Sequence, residues 1–312
     1  MTRALVFPGQ GSQFVGMGKS LAEAEPAAKL VFEEVNDALS QDLSKIMWDG
    51  PDEDLRLTEN TQPALMSVSL AVIRTLEAGG LKVDEIASHV AGHSLGEYSA
   101  LAATGAFGIA DAAKLLKLRG QAMQRAVPVG EGAMAAILGL SMDDVNAVCD
   151  EAAGSEVVVA ANDNADGQIV VSGHKGAVER AIEIAKARGA KRGLLLPVSA
   201  PFHCPLMTPA ADEMKAALAD VDIKRPVLPV IANVLAVPIS EPDGIKTLLV
   251  EQVTGAVRWR ESVGSMTSLG IHQLVEVGAG KVLSGLARRI DRDLATANLQ
   301  DPADIEAFVA TL

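Results

Sequence analysis

The run Gly92-His93-Ser94-Leu95-Gly96-Glu97 sets one serine between two glycines, at a point where the chain changes periodicity. Ile86 to Ala91 ahead of it is mostly apolar and predicts a strand. Tyr98 to Thr104 behind it is helix-forming and stops at Gly105, which predicts strand, elbow, helix. In such an elbow the serine hydroxyl stands clear at a helix N-terminus, and glycines on both sides let strand and helix approach. The amide of Leu95, first in the helix, is a donor for an oxyanion. A bare G-x-S-x-G match also arises by chance in turns, but its place between strand and helix favours a nucleophile.

A serine hydroxyl needs a base to take its proton, and the chain has five histidines. His93 lies inside the elbow, on the position that points away from Ser94, which suits packing or loop support. His89, His174 and His272 fall in or beside predicted elements and are expected to be structural or exposed. His203 lies in Ser199-Ala200-Pro201-Phe202-His203-Cys204-Pro205, where two prolines stiffen the loop and could hold an imidazole in place. By itself this setting fits a base and a loop-supporting ring equally. Cys204 beside it is expected to be a small buried thiol, because adjacent residues rarely meet in nucleophile-base geometry.

The predicted helix from Asp111 to Arg125 buries a stripe through Ala112, Leu115, Leu116 and Met123, and Arg119 falls on that stripe. A guanidinium stays charged and is costly to bury unpaired, so it needs a carboxylate from the protein or from a ligand. Both an internal salt bridge and a bidentate clamp on a substrate carboxylate satisfy that need.

These residues need a frame to hold them. Arg3 to Phe7 predicts a short buried strand, followed by the loop Pro8-Gly9-Gln10-Gly11-Ser12-Gln13. Two phosphate-loop patterns fail. Gly18-Lys19-Ser20 has Gln13 where a Walker loop needs glycine, and Gly9-Gln10-Gly11 and Gly278-Ala279-Gly280 meet Phe14 and Leu283 where a dinucleotide loop needs its third glycine. Thr61 to Gly79 predicts a helix buried on several sides, with Thr61 as cap and Pro63 in the first turn. From Ala133 the order is strand, helix (Ser141 to Ala153), a hairpin of Glu156 to Ala161 and Gln168 to Ser172, helix (Lys175 to Arg188) and strand (Arg192 to Pro197). This β-α-β-β-α-β order is the ferredoxin-like signature. The expected class is α/β, with a small subdomain at 128–198 inserted into a large subdomain formed by 1–127 and 199–312.

Composition narrows the classes further. The 312 residues are 49% hydrophobic but only 3% aromatic, which calls for a core of Ala, Val, Leu and Ile, as in α/β proteins. A formal net charge of −13 argues against general nucleic-acid binding. No apolar run reaches the ~18 residues of a membrane span, and the N-terminus lacks a signal-peptide pattern, so a soluble cytoplasmic protein is expected. Cys149 and Cys204, the two cysteines, are too few for a disulfide framework or a structural zinc site. No metal or tightly bound cofactor is implied.

The assembled set resembles the malonyl-CoA:acyl carrier protein transacylases of type II fatty acid synthesis, over essentially the full length. The resemblance rests on Phe7-Pro8-Gly9-Gln10-Gly11-Ser12-Gln13, Thr61-Gln62-Pro63-Ala64, Gly92 to Tyr98, Arg119, Gln168 to Gly173, Pro201-Phe202-His203 and Val277 to Leu283, which are specific as an ordered set. It implies an α/β-hydrolase-like core with a ferredoxin-like insert. It further implies Ser94 as nucleophile, His203 as base, and Gln10 with the Leu95 amide as oxyanion hole. Arg119 would hold the malonyl carboxylate, Gln252 would lie at the site with its backbone carbonyl orienting His203, and Asn162 would lie at the cleft margin. Malonyl would pass from malonyl-CoA to Ser94 and then to the phosphopantetheine thiol of holo acyl carrier protein. Cys204 and Ala279 depart from the serine and proline many relatives carry, and neither touches a proposed catalytic atom. Phe202 resembles malonyl-selective relatives, in which bulk there excludes branched acyl groups.

Two rivals share parts of this pattern. A serine hydrolase shares the elbow, but hydrolases of that class place a triad acid between serine and histidine in the chain, and none stands out here. A non-catalytic module that binds carrier protein would form no covalent adduct. Lys281, Arg288, Arg289 and Arg292, read as one late helical segment, either meet an acidic carrier protein or merely solvate a helix face.

Overall fold

The computed structural model describes Thr2–Leu312 as an α/β protein with two separate sheets. The larger has six strands in the order β10-β9-β1-β2-β7-β8: β1 (Arg3–Phe7), β2 (His89–Gly92), β7 (Val230–Ile231), β8 (Pro238–Ile239), β9 (Gln273–Val277) and β10 (Ala295–Leu299). All neighbours are parallel except β7 and β8. The strands are short apolar runs because helices cover both faces. Along β1, Leu5 and Phe7 enter the core on one face, while Ala4 and Val6 enter the core on the other, as the two-residue period of a strand requires.

The smaller sheet is antiparallel, in the order β4-β5-β3-β6: β3 (Gly132–Leu138), β4 (Val158–Ala165), β5 (Gln168–His174) and β6 (Arg192–Leu195). The helices Met142–Ala153 and Lys175–Ala187 pack on it around Val145, Val148, Val171, Val178 and Ala181, a core of its own. Strand β4 ties this sheet to the rest. Asn162 bridges Val257, Asp163 N–H donates to the Val257 carbonyl at 3.0 Å, and the Asp163 carboxylate pairs with Arg260 at 2.8 Å.

Several boundaries differ from expectation. The hairpin predicted over 162–167 narrows to Asp166 and Gly167, because β4 runs on through Asn162, Asp163 and Asn164. Register shifts at Ala160/Asn162 and Asp163/Ala165 admit these polar residues into the strand. The helix predicted over 61–79 spans Thr58–Ala78 and does not start from a Thr61 cap; Thr61 is buried and its hydroxyl donates to the Leu55 carbonyl. Ile86 ends a short helix rather than starting β2. The Arg119 helix spans Ile109–Ala126. Of the four late basic residues, Arg288 and Arg289 lie in the helix Val282–Ile290, while Lys281 caps it and Arg292 lies beyond it. No helix among the described residues is long and apolar enough to cross a membrane.

Candidate active site

Parallel α/β sheets gather function at the C-terminal ends of their strands, and this sheet does so with adjacent strands. Gln10 follows β1, Ser94 follows β2 and Asn233 follows β7. A cavity of about 180 Å³ opens above them, between the two sheets. Gln10, Gln62, His93, Ser94, Leu95 and Arg119 line it from the large sheet's side, and Met134, Asn162, Asn164 and Val170 from the small sheet's side.

The elbow has the tight geometry its glycines imply. A Cβ on Gly92 would lie 1.9 Å from the Gly96 backbone, and one on Gly96 would lie 2.2 Å from the Phe7 carbonyl oxygen. Ser94 takes φ 53° and ψ −109°, a conformation that costs a non-glycine residue on the order of 1–3 kcal/mol. His203 also has positive φ, at 58°. The two strained residues meet: Ser94 Oγ lies 2.7 Å from His203 Nε2.

The other imidazole nitrogen fixes the tautomer. His203 Nδ1 faces the carbonyl oxygens of Gln252 at 2.9 Å and Gly255 at 3.1 Å. Both are acceptors, so Nδ1 carries the proton and Nε2 is left to accept from the Ser94 hydroxyl. Burial, and then the nearby Arg119 cation, hold the His203 pKa down at about 3. The ring is therefore a neutral base at ordinary pH. No carboxylate is needed to orient it.

Arg119 is 2% exposed, and its partners are neutral oxygens. Nη1 donates to Gln62 Oε1 at 2.7 Å, and Nη2 donates to Gln252 Oε1 at 2.8 Å and to Ser94 Oγ at 3.1 Å. Nε has no acceptor. Among the described residues no carboxylate forms an ion pair with it. The Tyr98 ring lies 5.7 Å from the guanidinium carbon, and burial lowers the Arg119 pKa against the influence of Tyr98 and Glu97; Gln252 Nε2 in turn donates to Glu97 Oε2 at 2.8 Å. The internal salt bridge weighed from sequence is absent among the described residues, and a buried, incompletely partnered guanidinium faces Ser94.

The Leu95 amide opens the helix Leu95–Ala103, where N–H groups of the first turn have no intrahelical acceptor. Gln10 lines the same cavity, and its side-chain oxygen accepts from the Thr58 hydroxyl at 3.0 Å, which leaves its N–H groups as donors. Asn162 is buried on β4 at the cleft wall. Met123, Met134, Val170, Leu196, Val198 and Phe202 form the apolar side.

His93 supports the loop: its Nε2 lies 2.9 Å from Asn164 Oδ1 and its ring packs on Trp259. Cys204 is buried, donates to the Pro201 carbonyl, and has its pKa raised by burial, the properties of an inert thiol. Sequence reasoning gave no part to Glu97, Asn233 or Gln62. Glu97 stands in the elbow run itself, and a charged residue where the helix is buried all round was its signal. Gln62 stands in the Thr61-Gln62-Pro63 run. Asn233 carries no motif, only the oddity of one amide just after a buried strand.

The chain matches the model of the acyl transferase domain over residues 4–297. It is 46% identical to the malonyl CoA-acyl carrier protein transacylase of Bacillus subtilis, over 99% of this chain and 96% of that one. It is also 46% identical to the protein of that name from Escherichia coli K12, over 97% of each. Among solved structures it resembles an acyl-carrier-protein-S-malonyltransferase from Bartonella henselae, with TM-score 0.98 and 54% identity over 100% of this chain and 99% of that one. A malonyl-transacylase solved in complex with its type II PKS acyl-carrier protein superimposes with TM-score 0.97 at 43% identity, covering 100% of both chains. By likeness of sequence and fold along almost its whole length, the chain belongs to the acyl transferase domain family and, within it, to the malonyl CoA-acyl carrier protein transacylases.

Proposed function

We propose that this protein transfers malonyl from malonyl-CoA to the phosphopantetheine thiol of holo acyl carrier protein through a malonyl-Ser94 ester. The observation that carries this is Arg119, buried without a carboxylate partner and 3.1 Å from the oxygen of a serine already bonded to its base. A malonyl thioester supplies the missing carboxylate two carbons from the carbonyl under attack. An ester or thioester lacking that carboxylate leaves the cation uncompensated, which disfavours a lipid hydrolase.

In the first half-reaction the Ser94 hydroxyl gives its proton to His203 Nε2 as Oγ attacks the thioester carbonyl. The oxyanion that forms is held by the Leu95 amide and by Gln10. The tetrahedral intermediate collapses, the C–S bond breaks, and the imidazolium returns the proton to the departing coenzyme A thiolate. In the second half-reaction the carrier thiol gives its proton to the same nitrogen and attacks the Ser94 ester, and Oγ leaves with that proton. The Gln252 and Gly255 carbonyls accept from Nδ1–H throughout and stabilise the imidazolium without a triad carboxylate. Asn162, at the cleft wall, is assigned to the substrate margin. Arg288 and Arg289 offer a basic face to an acidic carrier protein.

The finer architecture follows the same inference: an α/β-hydrolase-like core from 1–127 and 199–312, and a ferredoxin-like subdomain from 128–198. The β4-β5-β3-β6 order with two helices supports it. A cytoplasmic location suits soluble substrates of this kind.

Intact-protein mass spectrometry after brief mixing with malonyl-CoA, then with holo carrier protein, tests the function. The expected result is a malonyl adduct on wild type, none on Ser94→Ala, and passage of the adduct to the carrier. Free malonate released without carrier would instead identify a hydrolase, and intact malonyl-CoA with no adduct a binding module.

A further inference from the structure

Ser94 presents its hydroxyl to the cleft from a backbone that the sheet and the helix both abandon. Strand β2 ends at Gly92, and its pairing to β7 stops at Ala91 opposite Ile231. The Ser94 N–H precedes the helix and has no helical acceptor. Both orphaned groups meet one side chain. Asn233 Oδ1 accepts from Ser94 N–H at 2.7 Å, and Asn233 Nδ2 donates to the Gly92 carbonyl at 2.7 Å.

A carboxamide carries an acceptor and a donor in one plane, so it substitutes for a peptide group and extends the β2–β7 ladder past its last backbone rung. Asn233 is itself held. Its N–H donates to Glu97 Oε2 at 3.2 Å, and its carbonyl accepts from Arg258 N–H at 3.0 Å. Glu97 Oε2 also accepts from Gln252 Nε2. One buried carboxylate oxygen thus joins the clamp on the nucleophile to the amide that faces Arg119.

We infer that Asn233 is a positioning residue for the reaction: its side chain bridges Gly92 and Ser94 across the elbow and sets the Ser94 oxygen against His203 Nε2. The inference rests on Ser94 being the nucleophile. It makes Asn233 act on the chemistry at Ser94 and not on the recognition of the acyl group, because Asn233 has no hydrogen bond to Arg119, Gln62 or His203.

The test is single-turnover acylation of Ser94, followed by rapid-quench mass spectrometry, in wild type, Ser94→Ala, Asn233→Ala and Asn233→Asp. Asn233→Ala is expected to slow acylation about tenfold or more, with the half-saturating malonyl-CoA concentration held within about threefold. Acetyl-CoA loading should slow by the same factor. In Asn233→Asp the new carboxylate still accepts from Ser94 N–H but opposes the Gly92 carbonyl. Glu97, which accepts from the residue-233 N–H, titrates in both proteins, so the acylation rate of Asn233→Asp relative to wild type should rise as the pH falls and the carboxyl regains a donor. Unchanged acylation in a cooperatively folded Asn233→Ala protein would overturn the inference. So would an Asn233→Asp pH profile parallel to wild type, which decides the matter if the alanine variant does not fold. A wild type with no Ser94-dependent adduct would overturn the nucleophile itself, and this inference with it.

Discussion

Arg119 Nη2 lies 3.1 Å from Ser94 Oγ, so the serine oxygen accepts from a cation on one side while its proton faces His203 Nε2 at 2.7 Å on the other. In the proposed mechanism the guanidinium has two tasks separated in time. Before substrate arrives it polarises the hydroxyl and holds down the basicity of the imidazole. Once a malonyl carboxylate is bound, much of its charge is compensated and His203 becomes a stronger base. In that mechanism, binding the right acyl group strengthens the base that activates Ser94 for attack on it.

Removing the cation separates recognition from chemistry. Arg119→Ala should depress malonyl loading of Ser94 far more than acetyl loading. Loss of charge-assisted bonds of about 1.5–3 kcal/mol each corresponds to roughly tenfold to more than a hundredfold in the malonyl-to-acetyl ratio. Competition between the two thioesters, read as adduct masses, measures that ratio directly. Equal losses for both would make Arg119 a structural residue.

The same pair sets a pH signature. Because burial and Arg119 keep the His203 pKa at about 3 instead of 6.5, the imidazole stays neutral and able to accept a proton as the medium becomes mildly acidic. Acylation with malonyl-CoA should show no loss on descending through pH 6.5, where an unperturbed histidine would titrate. Arg119→Gln removes the second cause of the depression and should move the acid limb upward, though not to the unperturbed value, since burial is the larger cause. Ring titration of His203 by NMR in both proteins checks the direction. A limb centred at the unperturbed value in wild type would contradict the buried, cation-facing geometry.

Local signals in the chain carried much of this site, and non-local ones did not. The elbow was legible because Gly92, Ser94 and Gly96 sit within five residues and the periodicity changes across them. Arg119 was legible as a charge on an apolar stripe, though only the fold reveals that Gln62 and Gln252, from two other helices, take the place of a carboxylate. His203 was one histidine of five until the fold brought it to Ser94 across a sequence separation of 109. Asn233 was invisible, since its role depends on where strand β7 stops beside β2. Strand β4 was cut short because Asn162, Asp163 and Asn164 read as turn formers, whereas the Val257 bridge and the Arg260 ion pair hold them in extended backbone.

The elbow glycines admit a steric test. Gly96→Ala places a Cβ 2.2 Å from the Phe7 oxygen and 2.9 Å from the Pro8 oxygen, both backbone atoms that cannot swing aside. A stability loss of about 1–3 kcal/mol or more is expected, together with loss of acylation, as strand β1 and the helix are pushed apart beside the Leu95 amide. Gly285→Ala is the control, because open space surrounds that helical position and the change should be neutral or stabilising by up to about 1 kcal/mol. Urea unfolding of the two variants distinguishes them. Similar midpoints would mean the elbow is looser than its contacts require.

Glu97 and His203 should impose opposing pH dependences on stability. Burial raises the Glu97 pKa from 4.5 to about 7, against hydrogen bonds from Gln252 and the Asn233 amide and against the Arg119 charge. The folded protein therefore keeps a proton that the unfolded chain releases, and stability falls as pH rises from 4.5 to about 7. For His203 the folded ring is neutral while the unfolded one is protonated, so stability rises with pH from about 3 to 6.5. Where the windows overlap, between 4.5 and 6.5, two slopes of about 1.4 kcal/mol per pH unit and opposite sign largely cancel. Glu97→Gln removes the falling contribution and keeps an amide oxygen for Gln252 and Asn233. Its unfolding free energy should consequently climb through this window, where that of wild type stays comparatively flat. A series of urea melts across the overlap reads the difference, and parallel curves would mean that Glu97 is ionised throughout, with Arg119 compensating its charge through the Gln252 amide.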